Sequence, residues 1–182
     1  MRMARVLAVA GAAGVTMAVL AVAGLAVALA VVQTGSDGPN RPDATLSDIP
    51  PAMLSLYEVA ATTCPGLSWT TLAAIGTVES DNGTSTAPGV TSGANAAGAE
   101  GPMQFEPRTF AEYDLPVPEG GTNPPSPYDP VDAVYAAARL LCANGAADGL
   151  DVAGAVYAYN HSTAYVTEVL ELAAVYQGGD GD

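Results

Sequence analysis

"TLAAIGTVES", residues 71–80, is an apolar, helix-forming stretch that closes on an acid, Glu79, and a small polar residue, Ser80. With Ser68 as a cap, Trp69, Leu72, Ala73, Gly76 and Glu79 recur at steps of three and four, a spacing that predicts a helix with Glu79 on its inward stripe. The chain contains no lysine to pair with such a group. An inward carboxyl is then either hydrogen-bonded or kept protonated by a raised pKa. A proton held near neutrality is what a general acid requires. The plainer reading of the same residue is a helix-end acid at a partly exposed rim.

Working outward, Pro and Gly divide the chain into further short helices. Ser47 or Asp48 can cap a helix with Pro50 and Pro51 near its first turn, running to about Thr63. Residues 81–101 are dense in Gly, Ser, Thr, Asn and Ala and read as a loop. Pro107 starts a short helix through about Tyr113. The prolines at 116, 118, 124, 125 and 127 exclude regular structure over 114–129. Asp129 and Pro130 open the next helix, with Asp132 in its first turn and Gly145 as its stop. Asp151 begins a helix to about Asn160, and Ser162 begins the last, ended by Gly178. Strand signals are scarce, so the fold is expected to be mainly α.

The N-terminal end is of another kind. Residues 6–32 contain neither a charge nor a proline, and only Arg2 and Arg5 precede them. About 20 apolar residues span a bilayer, so residues 1–32 read as a signal anchor, with the N-terminus cytoplasmic and the remainder exported. The alternative is a cleaved signal peptide, for which "ALA" at 28–30 supplies a small-x-small site and which would leave the protein secreted. "QTGSDGPNRPDATLS", residues 33–47, reads as a flexible linker to a domain at 48–178, followed by a short tail at 179–182.

All 19 acids lie beyond the apolar run, against three arginines, and the chain as a whole carries −14. Nucleic acid is excluded as a partner, because it is bound through clustered Lys and Arg. Two cysteines in an exported domain read as one disulfide, Cys64 to Cys142, worth about 4 kcal/mol on the chain-entropy model. With one histidine and no Cys-x-x-Cys spacing, these residues fall short of a four-ligand metal site.

Three blocks stand in order: "ES" at Glu79 and Ser80, "NAAGAEGPMQFEPRTF" at 95–110, and "AVYAYNHS" at 155–162. Together they resemble the lytic transglycosylase family with the goose-type lysozyme-like fold, in its exported actinobacterial-type members, over about residues 63–176. That resemblance implies a helical lysozyme-like domain that cleaves peptidoglycan glycan strands without a cofactor. It makes Glu79 the catalytic acid and base, and Ser80 its neighbour in the substrate cleft. It makes Ala97, Gly98, Ala99 and Gly101 the small-residue turn leading to Met103 and Gln104, with Gln104 contacting an N-acetyl sugar. Tyr159 and Asn160 become the "AYN" block, in which the Tyr hydroxyl approaches the catalytic carboxyl and Asn lines the sugar site.

Several residues depart from the family pattern or carry a second reading. Pro102 stands where many members have Leu, Asn95 where many have Ser, and His161 replaces a small residue. His161, between two helices, reads as a capping or packing residue, Glu100 as a solvent-exposed loop acid, and Trp69 as core. Tyr113, Tyr128 and Tyr165 are candidate sugar platforms. Conventional glycosidases need two carboxyls about 5 to 10 Å apart. Asp81 would point to another face of the helix, and nothing local fixes the direction of Glu106. The resemblance implies one acid and a 1,6-anhydro product; a muramidase hydrolysing the same bond and a non-catalytic peptidoglycan-binding module are the alternatives.

Overall fold

The computed structural model describes residues 44–179. The expected membrane segment at 1–32 and most of the expected linker lie outside the described residues. No helix among the described residues is long and apolar enough to cross a membrane. The described residues include six α-helices: α1 (Pro51–Ala61), α2 (Trp69–Ser80), α3 (Pro107–Tyr113), α4 (Pro130–Leu141), α5 (Val152–Asn160) and α6 (Thr163–Gly179). The described residues hold no strand; the only bridge among them pairs Glu100 with Phe105.

The start of α1 differs from expectation. Asp48 does not cap it; its carboxylate turns back to accept the Thr45 N–H (2.8 Å), closing a 3-10 turn at Leu46–Asp48. Each proline pushes the residue before it out of the α region, so Ile49 and Pro50 are extended and the helix begins only at Pro51. It ends at Ala61, and the Thr62 and Thr63 hydroxyls satisfy the carbonyls of Val59 and Ala60.

In α2 the inward stripe disappears into something larger. Every residue from Thr70 to Thr77 is buried, because α1, α4 and α6 all pack against this one helix. Small residues allow that approach. A Cβ added at Gly76 would fall 1.9 Å from the Tyr57 hydroxyl oxygen of α1. Beside it runs a buried polar chain: Tyr57 donates to Asn82 Oδ1 (2.9 Å), Asn82 Nδ2 donates to Thr77 Oγ1 (3.0 Å), and Thr77 Oγ1 shares a hydrogen with Tyr176 (2.9 Å). Each such bond contributes about 1 kcal/mol net, and together they tie α1, α2 and α6 in one register. Burial first, then the neighbouring Tyr176, pushes the Tyr57 phenol far above its usual range.

The proline-rich segment 114–129 is irregular, as expected, and is fastened by charged side chains of α4. Asp129 caps that helix, accepting from the N–H groups of Val131 and Asp132 (3.0 and 3.1 Å). Asp132 is fully buried, and its Oδ2 accepts from Thr122 N–H, Thr122 Oγ1 and Ser126 N–H. Arg139 donates to the carbonyls of Tyr113 (2.9 Å) and Pro116 (2.5 Å). The helix stops at Leu141 rather than running to Gly145, passing into a π turn at Cys142–Ala146 in which Gly145 takes φ 115°. The expected disulfide joins Cys64 to Cys142, linking the end of α1 to the end of α4. Asp151 caps α5 through Gly154 N–H (2.8 Å). α6 runs through Gly178 to Gly179, one residue beyond the expected stop; docked Val169, Leu172, Ala173 and Tyr176 outweigh the roughly 1 kcal/mol that a helical glycine costs.

Candidate active site

Glu79 sits where the buried α2 surfaces. The side of the helix beyond Thr77 loses its cover, so Val78 and Glu79 are only half-buried, and the Glu79 carboxyl lines a cleft of about 280 Å³. One hydrogen bond holds it: the Tyr165 hydroxyl of α6 donates to Glu79 Oε1 at 2.6 Å. Burial raises the Glu79 pKa from 4.5 to about 7; the Tyr165 hydrogen bond opposes that rise and the charge of Glu168 adds to it. A carboxyl so placed carries its proton near neutrality and still becomes a competent base after giving it up. Burial and the charge of Glu79 together push Tyr165 far upward, so its phenol stays a donor.

One cleft wall is the loop before α3. Asn95 Oδ1 accepts the N–H groups of Ala97 (2.8 Å) and Ala99 (3.0 Å), closing the small-residue turn. Its Nδ2 donates to Gln104 Oε1 (2.9 Å), and Gln104 Nε2 donates to the Gly101 carbonyl (2.8 Å). The Gln104 amide is thereby fixed in direction at the cleft. Gly101 has φ 79°, and a Cβ there would fall 1.7 Å from the Pro127 carbonyl oxygen, so the turn needs glycine. The other wall comes from the end of α5, with Tyr159, Asn160 and His161, while Leu140 and Phe105 supply apolar surface.

The expected site residues divide into those that face the cleft and those that build it. Glu79, Gln104, Tyr159 and Asn160 line it together. Met103 has no exposed surface and lies in the core, so it presents nothing to a ligand; Phe105 two residues on takes the cleft face. Ser80 is 2% exposed, and its hydroxyl donates to the Pro102 carbonyl (2.5 Å) and accepts from Gly83 N–H (2.7 Å). It staples the Gln104 loop to the end of α2, which is a building role. Tyr159 lies close enough to Glu79 to feel its charge, but its hydroxyl does not bond the carboxyl. That hydroxyl donates to the Met103 carbonyl (2.7 Å), and the phenol that reaches Glu79 belongs to Tyr165. The two rings stack at 6.4 Å and 3°, so Tyr159 braces its neighbour.

Tyr165 therefore is not an open platform; it is 8% exposed and bonded to the acid. Tyr128 is bonded through its hydroxyl to the Gly93 carbonyl (2.6 Å), and Glu100 lies half-buried in the bridge to Phe105 rather than out in solvent. The sequence offered Tyr165 as a platform and not as the partner of Glu79, because the two lie 86 residues apart and no local pattern marks that pairing. Asn95 carried a usable signal: an Asn opening a turn of small residues is an Asx turn. Glu106 lines the cleft as well, exposed at its rim.

Backbone strain gathers at the same place. Non-glycine residues with left-handed φ include Asp81 and Asn82, just past the end of α2, and Gln104 and His161 in the cleft walls. Such conformations persist only where surrounding contacts impose them, and they cluster at functional sites. The family model for the transglycosylase SLT domain matches residues 57–177. No curated protein and no solved structure matches the chain. The matched span takes in α2 with its terminal acid, the Gln104 loop and the α5 wall, and the chain belongs to the transglycosylase SLT domain family, lytic transglycosylases that act on peptidoglycan.

Proposed function

We propose that the protein cleaves the β-1,4 bond between N-acetylmuramic acid and N-acetylglucosamine and leaves a 1,6-anhydro-muramyl end, with Glu79 as sole acid and base. The observation that carries this reading is a single half-buried carboxyl, raised to about 7 and fixed by Tyr165, in the wall of a cleft. Glu79 gives its proton to the glycosidic oxygen as the C1–O bond breaks, and the muramyl acetamido oxygen closes on C1. The Glu79 carboxylate then takes the proton of the C6 hydroxyl, whose oxygen bonds C1 and displaces the acetamido oxygen. No water is consumed. Gln104 and Asn160 are the polar groups available to the N-acetyl sugar, and Leu140 and Phe105 are the apolar surface under it.

A second reading is favoured by one feature. Glu106 puts another carboxyl in the cleft, which a muramidase could use to hold a water. Its exposed position makes it the weaker candidate. Weighing the muropeptides released from purified peptidoglycan separates the two, since anhydro products are lighter by one water and reducing ends select hydrolysis. Binding without release by the wild type leaves a non-catalytic module. For location, the charge-free run at 6–32 supports a retained anchor that holds the domain on the outer face of the cell membrane, towards the wall. Sequencing the N-terminus of the mature chain tests it: a chain that begins at Val31 is a secreted protein.

A further inference from the structure

His161 occupies a position where a side chain is costly. It follows α5 with φ 58°, ψ 24°, the left-handed C-terminal geometry that favours glycine, and its N–H closes the helix on the Tyr157 carbonyl at 2.7 Å. The ring is exposed, lines the cleft, and meets the Tyr157 ring edge-to-face, with centroids 5.7 Å apart and planes at 67°. Tyr157 is itself 44% exposed. In a tilted pair of this kind one ring contributes its edge and keeps both faces free. The cleft's 280 Å³ lies at the lower limit of small-molecule sites, about 300 Å³, so a glycan strand must continue onto the surface beyond it.

We infer that Tyr157 and His161 form an aromatic shelf at the edge of the cleft, one ring face of which stacks on a further pyranose ring of a glycan strand, a saccharide subsite that continues from the Glu79 cleft past His161 onto Tyr157. The inference rests on the peptidoglycan reading above. The apolar C–H face of a pyranose covers an aromatic face, and the phenol and imidazole edges remain wet for its hydroxyls. A ligand that runs from the cleft onto Tyr157 gains this contact and one confined to the cleft does not, so the shelf favours long oligomers. His161 also marks its own control, because glycine at a left-handed position removes the ring without straining the backbone.

The test uses the full chain in mild detergent, carrying Glu79→Gln so that ligand is not consumed, titrated calorimetrically with N-acetylglucosamine oligomers of two and of six sugars. His161→Gly and Tyr157→Ala are each expected to weaken six-sugar binding about five-fold, on the order of 1 kcal/mol. In Tyr157→Ala, whose side chain lies outside the cleft lining, two-sugar binding should stay as in the parent; the melting temperature should hold in both variants, and His161→Phe should keep six-sugar affinity. Unchanged six-sugar affinity in both variants overturns the shelf, as does an equal loss for two sugars in Tyr157→Ala or a His161→Phe that binds as poorly as His161→Gly. If no oligomer binds the parent and the active chain releases nothing from peptidoglycan, the carbohydrate reading itself falls and the shelf with it. Release from peptidoglycan with no length-dependent loss removes the shelf alone.

Discussion

Glu79 and Asp132 are both helical carboxylates withdrawn from water, and the fold treats them in opposite ways. Asp132 stands in the first turn of α4 with three donors on Oδ2, two of them backbone N–H groups of the proline-rich segment, and its Oδ1 lies where a Cβ at Gly121 would fall 2.2 Å away. Glu79 stands at the last turn of α2 with one phenolic donor, and Glu168 is a neighbouring like charge. Burial is common to both; the supply of donors differs. A carboxylate given several donors organises the chain around it, whereas one given a single donor beside a cleft holds a proton that it can transfer.

The sharpest way to break that comparison is Glu79→Gln. The amide keeps the shape and has no proton to give, so turnover of peptidoglycan should fall by about 10² to 10⁴ while binding persists, since general acid-base assistance is worth that much. Equal turnover in variant and wild type, followed by muropeptide release, would return Glu79 to the status of a helix-end acid. Asp132→Ala should do the reverse. Leaving two N–H groups and a hydroxyl without their acceptor should cost about 3 kcal/mol in urea unfolding, with turnover per folded molecule retained at low temperature.

Tyr165→Phe sharpens the Glu79 side. Its hydrogen bond lowers the Glu79 pKa, so its loss should move the alkaline limb of the pH–rate profile from about 7 to higher pH, with a roughly ten-fold lower maximum as the acid loses its orientation. An unmoved limb would mean that Tyr165 does not govern the proton. Tyr159→Phe should show no such displacement, because its hydroxyl serves the Met103 carbonyl, and should cost about 1 kcal/mol in stability.

The smallest effect is on stability against pH. The folded Glu79 pKa of about 7 exceeds the ordinary 4.5, so the folded chain binds more protons than the unfolded chain between these values. Stability from this group is therefore full below pH 4.5 and is lost as pH rises to about 7. Glu79→Gln, which has no charge to bury, should melt a few degrees above wild type at pH 8, at about 2 to 4 °C per kcal/mol, and the gap should close at pH 4. A constant gap at both pH values would place its cause elsewhere.

Local chemistry was enough to determine much of this protein. The Ser68, Asp129 and Asp151 caps, the Pro107 start and the five prolines between 114 and 129 act over a few residues, so the six helices and the irregular segment were legible in the chain. Two cysteines have one pairing, and the "ES", "MQ" and "AYN" blocks singled out Glu79, Gln104, Tyr159 and Asn160, which the fold brings to one cleft. The tertiary structure decided what sequence separation hides. Whether Met103 or Phe105 faces the cleft depends on the left-handed turn at Gln104, which is imposed by Ser80 and Asn95 from other segments. Which tyrosine holds Glu79 depends on the docking of α6 across α2, and a hydrogen bond between residues 86 apart leaves no periodic trace in either helix. The burial that raises Glu79 is likewise a sum over three helices packed on a fourth, a quantity that no single stretch of sequence contains.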